Sequence, residues 1–232
     1  MKIIEFDNVV KTFDGRRVLD GLSFSVEKGE IFVIVGPSGT GKSVTLKHIV
    51  GLLSPSSGSV TVATDRIGYL FQSGALLAWL DIYDNVALPL RETSKMSEVE
   101  IDMRVMKALA AVGLEDHADK YPSEISGGMQ KRAGLARAIV CESEVLLYDE
   151  PTSGLDPVTS VNIARLIRDI ARKGEVTSVV VTHDLVSALK IADRILLLKD
   201  GKPVLIAAPA DFAASQNSEV CEFLLAMKGE SL

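Results

Sequence analysis

Several stretches of the chain are apolar at strand length. Ile31–Val35 reads IFVIV and residues 145–148 read VLLY, without a polar interruption. Residues 176–182 (VTSVVVT) and 194–199 (RILLLK) are nearly as apolar. Short runs of this kind fit strands buried on both faces of a parallel sheet. Residues 2–10 (KIIEFDNVV) and 21–26 (GLSFSV) instead alternate apolar with polar, as half-buried strands do. Shorter strands are predicted near 59–63 and 67–71. Helical spacing predicts helices over 44–52, 97–112, 128–140, 158–173, 185–191 and 211–227, with a frayed tip at 230–232. Ser97 caps the second of these and Gly113 stops it; Gly174 closes the fourth. Asp14-Gly15, Lys28-Gly29 and Asp200-Gly201 mark turns, the last leading into a strand over 203–207.

Strands that alternate with helices predict an α/β fold with a mainly parallel central sheet. Residues 74–140 are largely helical and fall between two core strands, so they read as an inserted helical lobe. The whole of 1–232 is expected to be a single domain.

Composition narrows the class. The 232 residues are 47% hydrophobic with a net charge of −6, which excludes a disordered chain. The acidic balance argues against a nucleic-acid partner, which calls for a basic face. No apolar run approaches the roughly 18–20 residues that span a bilayer. The acids at 5 and 7 interrupt any signal-peptide core. A soluble, cytoplasmic chain is predicted, with any membrane role exercised through a partner. Cys141 and Cys221 lack metal-type spacing and read as buried or idle thiols in a reducing compartment.

The first candidate chemistry lies directly after the IFVIV strand. Gly36, Pro37, Ser38, Gly39, Thr40, Gly41, Lys42 and Ser43 match G-x-x-x-x-G-K-[ST], between a buried strand and a helix. Glycines let successive N–H groups curl toward phosphate oxygens, and the helix N-terminus adds partial positive charge. Lys42 would reach the β- and γ-phosphates and the Ser43 hydroxyl would meet Mg²⁺. The loop alone says only that a nucleotide binds. GTPases usually read guanine through N-K-x-D, which does not occur in this chain.

A second apolar strand ends in Asp149 and Glu150, and its end is expected to lie beside that of Ile31–Val35. Asp149 is the candidate Mg²⁺ partner through water, and Glu150 the candidate base for an attacking water. A third strand delivers His183 to the same edge, where an imidazole could bond the γ-phosphate. His48 and His117 read as surface or packing residues.

Ser126, Gly127, Gly128 and Met129 open another helix, with Ser126 as its cap and two glycines leaving N–H groups open to an anion. A plain helix start has the same composition. Read as functional, it is a second phosphate site in a chain whose first loop already covers a triphosphate. Two copies head to tail would use both.

With these motifs in order, the chain resembles the ATP-binding cassette (ABC) transporter ATPases, whose signature is close to LSGGQ; here Ile125 to Met129 read ISGGM. The resemblance covers essentially the whole chain. It implies a P-loop NTPase of the ABC nucleotide-binding type, with an N-terminal antiparallel β lobe. It further implies that Phe13 stacks on adenine and that Gln72 contacts Mg²⁺ and water and senses the membrane partner. By the same resemblance, Ser153, Gly154, Leu155 and Asp156 form a D-loop acting across a dimer, and His183 is the switch histidine. The implied ligands are ATP and Mg²⁺. The implied partners are a second copy and a multi-spanning permease, at the cytoplasmic face of the inner (plasma) membrane.

Phe71 to Leu76 (FQSGAL), Gly128 to Arg132 (GMQKR), with Met129 in place of the usual Gln, and Asp84 to Leu90 (DNVALPL) resemble the ATPases of MCE/Mla-type lipid transporters. That branch implies phospholipid or a related lipid as cargo and an MCE-domain protein as a further partner. Between Gly58 and Phe71 the chain is shorter than the family usually is. Leu76, Leu77, Trp79 and Leu80 are apolar for a loop and read in part as the surface that grips the permease. An ABC ATPase serving another substrate, or a soluble non-transport ABC ATPase, are the alternatives.

Overall fold

A computed structural model describes residues 1–228; the tip expected to fray, 230–232, lies outside the described residues. The chain divides into two units, one of Met1–Asp65 with the chain from Ile167 onward, the other of Arg66–Leu166.

The first unit opens with β1 (Lys2–Phe13) and β2 (Arg16–Glu27), followed by β3 (Ile31–Val35), α1 (Lys42–Ile49) and β4 (Ser57–Val62). β1 pairs antiparallel with both β2 and β4 in a three-stranded sheet. The short stretch after Gly58 therefore still supports an antiparallel lobe. Both hairpin strands run longer than alternation predicts. Register shifts between Phe6 and Val9 and again to Lys11 break the period of two, so the ends lose their sequence signal. Asp14 (φ 47°) and Gly15 (φ 80°) make the turn, the two positive values that a tight hairpin requires.

The second unit contains β5 (Ile67–Leu70), α2 (Ile82–Thr93), α3 (Glu98–Ala111), α4 (Gly127–Ile139), β6 (Val145–Asp149) and the start of α5 (Pro157–Gly174). β5 and β6 pair in parallel, and every residue of β6 is buried. The predicted cap of α3 is present as a reciprocal box between Ser97 and Glu100, and Gly113 takes the left-handed turn that follows it (φ 66°). One helix was not legible as such. Residues 82–93, read as part of an apolar loop and lobe, form α2, capped by Asp81 and containing Pro89. Its buried stripe of Ile82, Val86, Ala87 and Leu90 has helical spacing, but an internal proline is an ordinary helix breaker and hides the pattern. Asn85 on α2 is fully buried. Its side chain accepts from the Leu77 N–H at 2.7 Å and donates to the carbonyls of Leu77, Leu80 and Asp81, at 3.0, 3.0 and 2.8 Å. This holds the 77–81 segment, on which Trp79 is 73% exposed.

The chain then returns to the first unit with β7 (Thr177–Thr182), α6 (Leu185–Ile191), β8 (Arg194–Lys199), β9 (Lys202–Ala207), α7 (Pro209–Ala213) and α8 (Ser218–Lys228). β3 lies between β7 and β8, parallel to both, and β9 is antiparallel to β8. β6, whose end is expected beside that of Ile31–Val35, is not hydrogen-bonded to β3: it pairs with β5, and β3's direct neighbours are β7 and β8. The single tail helix expected over 211–227 is two helices, because the Asn217 side chain accepts from the Glu219 N–H at 2.9 Å and starts α8 anew. After α5 the left-handed residue is Glu175 (φ 50°), not Gly174.

All five residues of β3 are fully buried, each worth about 1.5–3 kcal/mol against exposure. Phe6, Phe24 and Phe32 stack at centroid distances of 4.5 and 5.2 Å, tying the antiparallel lobe to β3. Arg194 lies over Phe32 and donates to both oxygens of buried Glu30, at 2.6 and 2.9 Å. Among the described residues no helix is long and apolar enough to cross a membrane.

Candidate functional site

In the first unit the loop from Gly36 to Ser43 joins β3 to α1. Two glycines let its backbone sit against neighbouring strands. A Cβ on Gly36 would overlap the Leu198 carbonyl of β8. On Gly41, whose φ is +100°, it would stand 2.7 Å from Leu19 Cδ2 and 2.9 Å from the Val18 carbonyl of β2. Gly41 caps α1 in the left-handed conformation, and Lys42 is the first helical residue. The Thr40 hydroxyl donates to the Pro37 carbonyl at 2.9 Å. Lys42 is 6% exposed. Its ammonium donates to the carbonyls of Gly36 (2.8 Å) and Pro37 (2.9 Å), so it curls over the loop.

A cavity of about 500 Å³ opens on this loop, lined by Pro37, Ser38, Gly39 and Thr40 with Arg16 and Arg17. That size accommodates a nucleotide; Lys199 and Asp200 also line it, and the Arg17 guanidinium is paired with Asp20 at 2.9 Å. Arg16 faces Phe13 across the β1–β2 hairpin, and the Phe13 ring is 40% exposed. Val35 pairs with Thr182, so His183, the next residue, is level with Gly36 at the same sheet edge.

In the second unit β6 delivers Asp149, 8% exposed, to the strand end. The Tyr69 hydroxyl donates to Asp149 Oδ2 at 3.1 Å. Burial first, then the charge of Asp149, hold the Tyr69 phenol far above its usual range. Glu150 follows with φ 48°, a left-handed conformation that is uncommon outside glycine. Its carbonyl accepts from the Ser153 N–H at 3.1 Å and from the Lys131 ammonium at 3.2 Å. Lys131 also donates to the Gln72 carbonyl. The exposed Gln72 side chain in turn donates to the Ser153 hydroxyl at 3.4 Å. Burial lowers the Lys131 pKa from the ordinary ammonium value, while the charges of Glu150 and Asp149 act against that.

Ser126 stands at the start of α4 with extended geometry, and its hydroxyl accepts from the Met129 N–H at 3.3 Å. Gly127 is exposed and Gly128 buried. A Cβ on Gly128 would stand 2.7 Å from Thr159 Cγ2, and one on Gly127 would stand 3.9 Å from Leu155 Cδ2. The segment from Ser153 to Asp156 and the start of α5 therefore pack against this helix tip. The Asp156 carboxylate accepts from the N–H groups of Val158 and Thr159, both at 3.0 Å.

The second unit thus brings Gln72, Asp149, Glu150, Ser126 to Met129 and Ser153 to Asp156 into one neighbourhood. The first brings together Gly36 to Ser43, His183 and, at the hairpin beside the cavity, Phe13. Sequence reasoning missed Arg16, Arg17, Tyr69 and Lys131. Lys131 stands in the GMQKR run that carries the subfamily resemblance, but no role of its own follows from that run.

The model of the ABC transporter family matches residues 19–153. The chain belongs to the ABC transporter family. It is 44% identical over 210 residues to the probable ribonucleotide transport ATP-binding protein mkl of Mycobacterium tuberculosis, covering 84% of this chain and 58% of that protein. The chain thus spans less than two thirds of that relative's length. It is 41% identical to the chloroplastic protein TRIGALACTOSYLDIACYLGLYCEROL 3 of Arabidopsis thaliana, over 95% of this chain and 73% of that one. It is 40% identical to the methionine import ATP-binding protein MetN of Bordetella pertussis, over 94% and 65%. Among solved structures it is similar to a dimeric ATP-binding cassette in a post-hydrolysis state bound to ADP and Pi. There the TM-score is 0.82 and the identity 32%, over 89% of this chain and 98% of that one.

Proposed function

We propose that this chain is the ATP-hydrolysing subunit of an ABC transporter and acts as one ATPase domain over 1–232, its helical lobe covering about 74–140. Two copies close on ATP and drive a multi-spanning permease, with the subunit peripheral at the cytoplasmic face of the inner (plasma) membrane. One observation carries the reading: the chain presents two glycine-opened helix tips, the cradle at α1 and the Ser126-capped start of α4. One triphosphate needs one cradle, so the second tip fits the nucleotide of a second copy. ATP would then hold the two copies together, and the loss of its γ-phosphate would release them.

Within this reading Phe13 stacks on adenine, and Gly36 to Ser43 bind the phosphates with the Lys42 ammonium. Glu150 takes the proton of the attacking water. Gln72 orients that water, and His183 bonds the γ-phosphate. Ser126 to Met129 bind the γ-phosphate held by the other copy, and Ser153 to Asp156 act across the dimer. Mg²⁺ fits the remaining donors: Ser43, Gln72 and, through water, Asp149 supply hard oxygens, and this ion keeps waters and takes substrate phosphates. Among the described residues no cluster of three or more His, Cys, Asp or Glu forms a protein cage, and Mg²⁺ needs none. Bound there, it would neutralise charge developing on the phosphates.

The cargo we propose is phospholipid or a related lipid, with an MCE-domain protein as a further partner. The FQSGAL, DNVALPL and SGGM segments support this, as does the lipid name of the Arabidopsis relative. The methionine and ribonucleotide names of the other relatives favour a transporter of another substrate as the second reading.

The direct test is Glu150→Gln. ATP binding persists, turnover falls at least about 10²-fold, and a dimer accumulates with ATP. Near-normal turnover would remove Glu150 from its role. A pull-down from membranes tests the partners: a multi-spanning permease with an MCE-domain protein is the expected recovery. Recovery of ribosomes or DNA ends would defeat the transport reading.

A further inference from the structure

We infer that Lys131 is a positioning residue for hydrolysis: its ammonium closes a ring of hydrogen bonds that fixes the backbone of the base Glu150 to the backbone of Gln72. This rests on the roles proposed above for Glu150 and Gln72.

The ring can be followed atom by atom. Lys131 Nζ donates to the Gln72 carbonyl. Gln72 Nε2 donates to Ser153 Oγ at 3.4 Å. The Ser153 N–H donates to the Glu150 carbonyl at 3.1 Å. That carbonyl also accepts from Lys131 Nζ at 3.2 Å. Lys131 is the only one of the four that lies on a regular element, the second turn of α4. It is also the most buried, at 6% exposure. An ammonium taken out of water is retained only where its protons are bonded, and two of these go to main-chain carbonyls. Such bonds to main-chain carbonyls set where the backbone of Glu150 sits. Glu150 needs that support, because its left-handed φ of 48° is unfavourable for a residue with a side chain. The same helix starts at Ser126. A shift of its tip is therefore transmitted through Lys131 to the base and to Gln72 together.

Arg137 provides the control. It lies further along α4 and donates to the Ala75 and Gly74 carbonyls at 2.8 and 2.7 Å. It therefore ties the same loop to the same helix without reaching Glu150. If Lys131 only fastened the loop, the two substitutions would act alike.

The experiment compares Lys131→Met, Lys131→Gln, Arg137→Met and Glu150→Gln in ATP turnover with the full transporter, and in ATP binding. Lys131→Met is expected to lower kcat about 10²-fold, the scale of a 1 Å misplacement of a catalytic group. Its KM for ATP should stay within about twofold. Lys131→Gln, which keeps two protons to donate, recovers part of the loss; if the Met variant does not fold, it carries the test at smaller amplitude. Arg137→Met should melt earlier but keep kcat within about threefold. On a Glu150→Gln background, Lys131→Met adds less than about twofold to the loss in single turnover, as expected for residues acting as a unit. Multiplicative losses in that double variant would overturn the inference, as would equal effects at 131 and 137 or a kcat near normal for Lys131→Met. Should Glu150→Gln itself turn over normally, the assignment of the base fails, and that outcome is separate from a failure at Lys131.

Discussion

The loop from Gly36 to Ser43 is shaped by side chains that are missing. At Gly36 and Gly41 a Cβ would run into Leu198, or into Val18 and Leu19, so the backbone packs closely onto β8 and β2. The acidic end of β6 is shaped by side chains that are present. Tyr69 reaches Asp149 from β5, and Lys131 reaches Glu150 from α4. The first is contiguous in sequence, eight consecutive residues, and is seated by backbone contact with Leu198, Val18 and Leu19. The second gathers groups 80 and 19 positions apart in the chain. A site made of backbone tolerates no added atom, whereas a site held by side-chain donors weakens in steps as each donor is removed.

The largest effect that follows is at Gly41. Gly41→Ala combines a left-handed φ of +100° with contacts of 2.7 and 2.9 Å. Strain of about 1–3 kcal/mol for the backbone alone, with the overlap added, should lower ATP affinity about 10²-fold, as read by calorimetric titration. Unchanged affinity would mean that the cradle is not set by its backbone.

Tyr69→Phe tests the other side of the contrast. It removes one donor to a buried carboxylate, an interaction worth about 1.5–3 kcal/mol. Turnover should fall about tenfold while ATP affinity holds. A loss of affinity instead of rate would place Asp149 in binding and blur the distinction between the two regions.

The smallest effect is at Gly128, where both principles meet. Gly128→Ala puts a methyl 2.7 Å from Thr159 Cγ2 and should slow turnover by roughly three- to fivefold, as overpacking of about 1 kcal/mol does. Because the obstacle is a side chain and not backbone, Thr159→Ala in the same protein should restore the rate. No restoration would mean that the glycine is needed for its N–H geometry and not for space.

The same contrast explains which features are legible in the sequence. Gly36 to Ser43 and the Ser126 cap are local patterns, since backbone curvature and capping depend on neighbours within a few positions. His183 was also legible, because an apolar strand of known length fixes where the next residue falls. Helix α2 was hidden by Pro89, and the β1–β2 hairpin was shortened on paper by bulges that interrupt its alternation. Neither Lys131, though it stands in the GMQKR run, nor Tyr69 reveals its partners; a lysine on a helix and a tyrosine in a strand each have many ordinary uses.

The sequence by itself determined the alternation of strands and helices, the phosphate loop and the two acids at a strand end. Those features follow from periodicity and from conformations available to single residues. The tertiary structure alone decided which strands neighbour β3, and that β1 and β4 pair despite the short stretch after Gly58. It also decided that an ammonium from α4 bonds the carbonyls of Gln72 and Glu150. These are contacts between residues far apart in the chain, and the cost of burying a charge is met only where distant elements supply its partners.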